Sequence, residues 1–245
     1  MHARIQKFAF DKIEDINAAS DTAAIINILD QAGGTFGYDN FSISGLPQPG
    51  EKIDPYIMAC RWPGEWAERY VARNYVAIDP VIALTQRSLN PFSWAEATVG
   101  QTAQQAAMMD EATEFGLVDG FAVPIYSVSG FQAIVTFGAR AWTMSLPEKR
   151  ALHLVAIYAH NAIRSHLPGA NDGRDKRDGH GTRLTGREMD CLKWSAAGKT
   201  AVEIAAITGI AARTVEHHLE RAATKLNAVN KTQAVATAIR QRIIS

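Results

Sequence analysis

The sequence predicts an α/β/α sandwich around an antiparallel sheet, followed by a small all-α domain of four helices. Strand-like runs in residues 1 to 166 come in adjacent pairs with helices between them, the layout of a layered antiparallel sheet. Residues 167 to 183, LPGANDGRDKRDGHGTR, are rich in Gly and in charges of both signs and nearly devoid of apolar side chains, so they read as a flexible linker. Residues 184 to 245 show helical periodicity alone, interrupted at glycines. The expected domains are therefore 1–166 and 184–245, joined by 167–183.

In order, a helix is expected near residues 11 to 19 and a second from Thr22 to Thr35, ended by Gly33-Gly34. NFSISG, with Phe41 and Ile43 pointing one way, and YIMACRW read as strands. GEWAERYVARNY, DPVIALTQRS starting at the Asp79-Pro80 corner, and TAQQAAMMDEATEFG closed by Gly116 read as helices. FAVPIYSV and FQAIVTFGA flank Ser129-Gly130 as a hairpin, Pro124 marks an edge or bulge, and LPEKRALHLVAIYAHNAIRSH is a long closing helix.

The C-terminal domain carries its own punctuation. Thr185 with Glu188, and Thr200 with Glu203, have capping-box spacing at the starts of two helices; Gly198 stops the first, and Thr208-Gly209 makes the tight turn after the second. The first buries Cys191, Leu192 and Ser195/Ala196, and the second presents Ile204, Ala205 and Ile207. In the third, Val215, Leu219, Ala222 and Leu226 recur at four, three and four, leaving Arg213, Glu216, His217, Glu220 and Arg221 outside. A fourth starts near Asn230, buries Ala234, Val235, Ala238 and Ile239, and ends in Arg240 and Arg242, which suit a helix C-terminus. A polar outer face on the second helix of such a pair is what enters a major groove, so double-stranded promoter DNA is the expected partner, with RNA polymerase within its reach. A helical scaffold serving a protein contact is the competing reading.

LTGREMDCLKWSAAGKTAVEIAAITGIAARTVEHHLERAATKL followed by NKTQAVATAIRQRII resembles the helix-turn-helix DNA-binding domain of the LuxR/FixJ superfamily over about sixty residues. It departs from that pattern at Ala211-Ala212, where the family usually has Ser or Asp, so a side-chain cap worth roughly 1 kcal/mol is absent. The resemblance implies that Glu216, His217 and Glu220 approach base edges. Two glutamates there imply acceptance from cytosine N4 or contacts through water, while Thr200, Arg213, Thr214, Arg221 and Lys225 suit the phosphate backbone. Pairing of Glu216 and Glu220 with Arg213, Arg221 or Lys225 along the helix is the alternative.

The net charge is zero, but residues 1 to 170 hold 12 Lys and Arg against 17 Asp and Glu, and 171 to 245 hold 13 against 8. The basic excess accompanies the DNA-binding module, as phosphate attraction requires. No apolar run approaches the roughly 18 residues of a membrane span, and the opening MHARIQKFAFDK lacks a signal-peptide core, so a cytoplasmic protein without a membrane partner is expected. Cys60 and Cys191 have no metal-ligand or CxxC spacing and read as reduced and buried.

Trp62, Trp66, Tyr70, Asp79 and Trp94 form the one constellation that reads as a site. Indole N–H groups donate to carbonyls and a carboxylate accepts from an amide, so the set suits an apolar ligand with an amide or ester head. Taken bare, the aromatics also read as core packing, and an Asp before Pro as a helix cap.

WPGEWAERYVARNYVAIDPVI, Trp94 and GLVDGFAVPIYSVSGFQAIVTFG resemble the autoinducer-binding domain of LuxR-type quorum-sensing regulators, which bind N-acyl-homoserine lactones. The resemblance implies that Trp66 donates to the lactone carbonyl, Asp79 accepts from the amide N–H, Tyr70 and Trp94 wall the ligand, and Thr136 places a hydroxyl near the amide carbonyl. Gly116, Gly120 and Pro124 match scaffold positions. Trp62 stands where the family commonly has Tyr, which implies a reshaped pocket and an acyl group that is short, branched or aromatic. No cofactor is implied. Ligand binding would stabilise the fold and support a homodimer, through the helix at 147 to 165, on inverted-repeat DNA.

Other classes fit less well. A regulator of the same type sensing a different small molecule, or none, is the alternative. A phosphoacceptor receiver domain needs parallel βα alternation, which the strand pairing contradicts. An enzyme would have to use His153 and His160, which share a helix face with no third ligand or nucleophile and read as surface histidines. No catalytic or metal site is expected.

Overall fold

The computed structural model describes residues 2–47, 50–126, 132–167, 184–240 and 243–244. It forms two compact units, described here separately. The first contains α1 (His2–Ala18), α2 (Thr22–Phe36), β1 (Asn40–Gly45), β2 (Ile57–Cys60), α3 (Gly64–Ala72), α4 (Pro80–Thr85), β3 (Phe92–Ser93), α5 (Trp94–Ala97), α6 (Ala103–Glu114), β4 (Asp119–Tyr126), β5 (Gln132–Ala139) and α7 (Leu146–His166), with single 3-10 turns at Asp54–Tyr56 and Tyr75–Ala77. The expected linker lies outside the described residues except for Leu167, as does the Ser129-Gly130 turn.

The five strands run in the order β2-β1-β5-β4-β3, every pair antiparallel. Strand alternation divides the sheet cleanly. Phe41, Ile43, Phe121, Val123, Val135 and Phe137 face one way and join Ile25, Leu29, Leu152, Val155 and Ile163 of α2 and α7 in one core. The opposite face is smaller and more polar: Ser42, Ser44, Gly120, Ala122, Ile134, Thr136 and Gly138 occupy the alternate positions. Helices α3, α4 and α6 pack over that face with a core of their own. The α/β/α expectation therefore holds, and the small residues leave room on one side only.

Three details differ from expectation. Helix α1 begins at His2 rather than near residue 11, because Ile5, Phe8 and Ala9 continue its buried stripe. Gly33 and Gly34 do not end α2. The helix runs on to bury Phe36, and Gly37 caps it in the left-handed region at φ 83°; Gly33 is instead required for close approach, since a Cβ there would lie 2.7 Å from the Tyr38 carbonyl oxygen. Strand β3 and helix α5 carry no period in two and four residues, yet Ser93 and Glu96 form a capping box that starts α5. Strand β3 covers only Phe121 and Ala122 of β4, so Pro124 lies on a stretch whose outer side has no strand partner among the described residues, as its edge reading requires.

The second unit contains α8 (Gly186–Ala196), α9 (Ala201–Thr208), α10 (Ala212–Lys225) and α11 (Lys231–Arg240). Both expected capping boxes are present, Gly198 and Gly209 take φ 82° and 70°, and Ala211 caps α10 without a side-chain bond. Leu184, Cys191, Leu192, Ile204, Val215, Leu219, Ala222, Ala234 and Ala238 form the core. Ile207 and Ile239, expected inside, are 46% and 49% exposed. Ile239 follows the buried Ala238 by one position, about 100° of helical turn off the inner face, and Ile207 lies in the last turn of α9, beyond the buried Ile204. The Arg240 side chain and Arg242 lie outside the described residues.

Candidate functional site

A cavity of about 710 Å³, mouth included, lies between the small-residue face of the sheet and α3, α4 and α6. Trp62, Trp66, Tyr70, Asp79, Trp94 and Thr136 all line it, so the structure brings together every ligand residue expected from the sequence. Sequence reasoning missed Ser44, Cys60, Met108, Met109 and Ile134 on the same wall. For Ser44 and Ile134 the usable signal was strand alternation; α6 offered none.

Each polar group is fixed by local structure. Trp66 and Tyr70 are one turn apart on α3 and both buried. Asp79 is the N-cap of α4, its Oδ1 accepting from the Val81 and Ile82 amides at 2.7 and 3.4 Å, while Oδ2 accepts from the Tyr70 hydroxyl at 2.7 Å. The capping and ligand readings of this residue are thus compatible, because they use different oxygens and Oδ2 retains a lone pair. Burial pushes the Asp79 carboxyl above its ordinary range, opposed by the bonds from Tyr70, Val81 and Ile82. Burial and the neighbouring Asp79 charge hold the Tyr70 phenol well above its ordinary value, so Tyr70 is a permanent donor.

Across the cavity, Trp94 Nε1 donates to Thr136 Oγ1 at 3.1 Å, leaving the Thr136 proton available. The Trp94 indole lies hard against the sheet at Gly120 and Gly138, which face each other across β4 and β5. A Cβ on Gly120 would fall 2.2 Å from the indole and one on Gly138 3.0 Å. Trp62 packs edge-on to Tyr70 at 5.3 Å, and its Nε1 is buried with no hydrogen-bond partner among the described residues. An orphaned N–H of this kind costs roughly 1–3 kcal/mol until an acceptor arrives.

Outside the cavity, a cluster ties α3 to α6. Glu111 accepts from Arg69 at 3.2 Å, from Arg73 at 2.8 Å and from Tyr75 at 3.0 Å.

Other candidates resolve differently. No cluster of three His, Cys, Asp or Glu side chains able to hold a metal occurs among the described residues. His160 is buried, not on the surface, with Nε2 unpartnered among the described residues, and burial lowers its pKa. Cys60 and Cys191 are free thiols, but Cys60 is only half-buried. No described helix is long and apolar enough to cross a membrane.

In the second unit, Thr200, Arg213, Thr214, Glu216, His217, Glu220 and Arg221 are all exposed, six of them on α10. Among the described residues, Glu216 and Glu220 make no ion pair, so the intrahelical alternative is not realised. The Thr200 hydroxyl bonds Glu203 in the α9 cap. Lys225 is the least exposed of the expected DNA-facing residues. Its ammonium lies 2.8 Å from Glu188, the two side chains being 13% and 1% exposed, because the Glu188 carboxylate, buried between α8 and α10, needs a countercharge. Arg221 approaches the same carboxylate at 3.6 Å from a more exposed position. The sequence shows Glu188 as a capping residue only, since its partner stands 37 positions away.

Residues 21–163 match the family model for the autoinducer binding domain, and residues 182–238 that for bacterial regulatory proteins of the luxR family. The chain is 38% identical over 239 residues to the transcriptional activator protein BjaR1 of Bradyrhizobium diazoefficiens, covering 97% of this chain and 96% of that protein. It is 34% identical over 231 residues to the quorum sensing-dependent transcriptional regulator RpaR of Rhodopseudomonas palustris, covering 94% and 90%. The crystal structure of SdiA from Escherichia coli shares the fold, with a TM-score of 0.71 at 20% identity over 98% of each chain.

Proposed function

The chain belongs to the LuxR family of autoinducer-binding transcriptional regulators, not to a family of enzymes, and we propose that its signal is an N-acyl-homoserine lactone. The observation that carries this reading is the buried Asp79 carboxylate facing an otherwise largely apolar cavity with one acceptor site left unused. An amide N–H fills that site. Trp66 then donates to the lactone carbonyl, Thr136 to the amide carbonyl, and Tyr70 and Trp94 wall the ring. Trp62 narrows the acyl compartment, which favours a short, branched or aromatic acyl group.

A ligand that completes this core binds only the folded domain, stabilising it by about 2.7 kcal/mol at a hundred times its dissociation constant. Residues 1–166 form the sensing domain, 167–183 a linker and 184–245 the DNA-binding domain. The liganded protein pairs with a second copy through α7, whose Leu154 and Tyr158 are exposed one turn apart. Two DNA-binding modules then reach half-sites about one helical turn apart, so the target is an inverted repeat in promoter DNA, in the cytoplasm and within reach of RNA polymerase. Thr200, Arg213, Thr214 and Arg221 face the backbone, and Glu216, His217 and Glu220 the base edges.

The test is thermal unfolding and operator binding of the purified full chain with N-hexanoyl-, N-isobutanoyl- and N-cinnamoyl-homoserine lactone. At least one should raise the unfolding temperature and tighten DNA binding. No shift with any of them, with DNA binding unchanged, rejects the lactone reading and leaves a regulator of another signal.

A further inference from the structure

We propose that Glu111 is a positioning residue for the Trp66 indole and thereby sets how strongly the receptor grips the ring carbonyl of its ligand. This rests on the assignment of Trp66 as the donor to that carbonyl. Trp66 contacts two aromatic rings besides Tyr70: Tyr75 and Phe115, each with centroids 5.7 Å away and tilted by 34° and 35°. Each of those rings carries an arginine. The Arg73 guanidinium carbon lies 5.9 Å from the Tyr75 ring centroid, and that of Arg69 lies 4.8 Å from Phe115. Both arginines end on the same carboxylate, that of Glu111, which also accepts from the Tyr75 hydroxyl.

Two routes therefore run from one acidic group to one indole, one through Arg69 and Phe115 and the other through Arg73 and Tyr75. Glu111 is on α6 and Trp66 on α3, and both helices contribute to the cavity wall. An indole has a single N–H whose strength as a donor depends on its direction. Packing alone resists displacement of a flat ring but resists in-plane rotation weakly; rings on the flanks, each held by an arginine that is itself tied down, fix both. Glu114, 3.5 Å from Arg69 and more exposed, cannot replace Glu111, because it reaches only one of the two arginines among the described residues.

The experiment compares Glu111→Gln with wild type on two probe series carrying the same hexanoyl, isobutanoyl or cinnamoyl group. One is the homoserine lactones and the other the cyclopentylamides, which have no ring carbonyl. Affinity is read from tryptophan fluorescence of the full chain. Glu111→Gln should weaken the lactone by about tenfold, the scale of one well-placed hydrogen bond, and leave the cyclopentylamide within about twofold. In a Trp66→Phe background the same substitution should have no further effect on either probe. The near-ultraviolet circular dichroism band of the indole should also broaden in Glu111→Gln alone.

Equal weakening of both probes, or an undiminished effect in the Trp66→Phe background, overturns the proposal and leaves Glu111 as a general strut. If Glu111→Gln fails to accumulate, Arg73→Gln, which cuts one route, carries the same comparison with a smaller expected ratio. Wild type that takes up none of the lactones fails the functional reading itself, and the present inference with it. Wild type that binds a lactone while the variants show no ratio fails only this inference.

Discussion

Tyr70 donates to Asp79 Oδ2 across 2.7 Å inside the cavity wall, while the other carboxylate oxygen caps helix α4. The pair divides one side chain between architecture and recognition. A substitution there can therefore separate the two.

Asp79→Asn is expected to do so. Asparagine caps helices as well as aspartate does, so unfolding of the ligand-free protein should change by less than about 1 kcal/mol. Its single oxygen is claimed by the cap, which turns the amide NH2 toward Tyr70 and the ligand's own N–H. Lactone affinity should fall by about ten- to a hundredfold, the loss of a charged acceptor. Titration calorimetry showing wild-type affinity would remove Asp79 from the site.

The same carboxyl gives ligand binding a pH dependence. Burial raises its folded-state pKa above the ordinary 3.8. For a raised pKa, the contribution to stability is fully present below the unfolded value and disappears as pH rises through the folded one, so acid does not harm the ligand-free fold through this group. Binding has the opposite sign, because the amide N–H needs the charged acceptor. Affinity should drop about tenfold per pH unit once the pH is below the folded pKa, and Asp79→Asn should flatten that slope. Parallel slopes in the two proteins would assign the titration elsewhere.

Lys225→Met leaves the buried Glu188 carboxylate, among the described residues, with the more distant Arg221 and with Thr185. The C-terminal unit should lose about 3 kcal/mol, the lower end of what breaking a buried pair costs. Pairing it with Glu188→Gln should recover part of that loss, which chemical denaturation of the single and double variants would reveal. Additive losses would mean that the two side chains are not coupled.

On the exposed face of α10, Glu216→Ala should relax sequence preference at one base pair. Arg213→Ala should instead weaken every operator alike and lower the salt slope by about one. Binding measured over a set of operator variants at several salt concentrations distinguishes these outcomes, and identical profiles for both variants would abolish the assignment.

The fold was legible wherever one local rule governed an element. The capping boxes at Thr185 and Thr200, the turn at Gly209 and the stripe through Val215 and Leu219 are set by residues within a turn or two of each other, and all are as expected. The alternation in NFSISG placed the sheet face correctly. Elements that depend on distant contacts were not legible. Position 33 needs a glycine inside a helix because the Tyr38 backbone passes close over it, and strand β3 pairs with just two residues of β4.

Six residues of the cavity wall are legible in the sequence because the resemblance supplies Thr136 and an expected role for each aromatic. The cluster around Glu111 is not, since Arg69 and Glu111 are 42 positions apart and no spacing rule joins them. The pairing of Lys225 with Glu188 is hidden for a related reason: from the sequence alone, a lysine at the end of a basic helix carries no sign of a buried acid on the neighbouring helix.

Trp94 resting on the bare backbone of Gly120 and Gly138 divides the chamber into two regions of unequal freedom. A methyl group on Gly120 would collide with the indole, and one on Gly138 would collide with Leu117 and press on the indole, so the floor beneath the ring leaves little latitude. A receptor built this way has little room for change beneath Trp94, so retuning to a new signal falls to the rest of the wall, where Trp62, Met108 and Met109 lie. Diversification of what is sensed should therefore be sought on those surfaces, with the sheet acting as an invariant template.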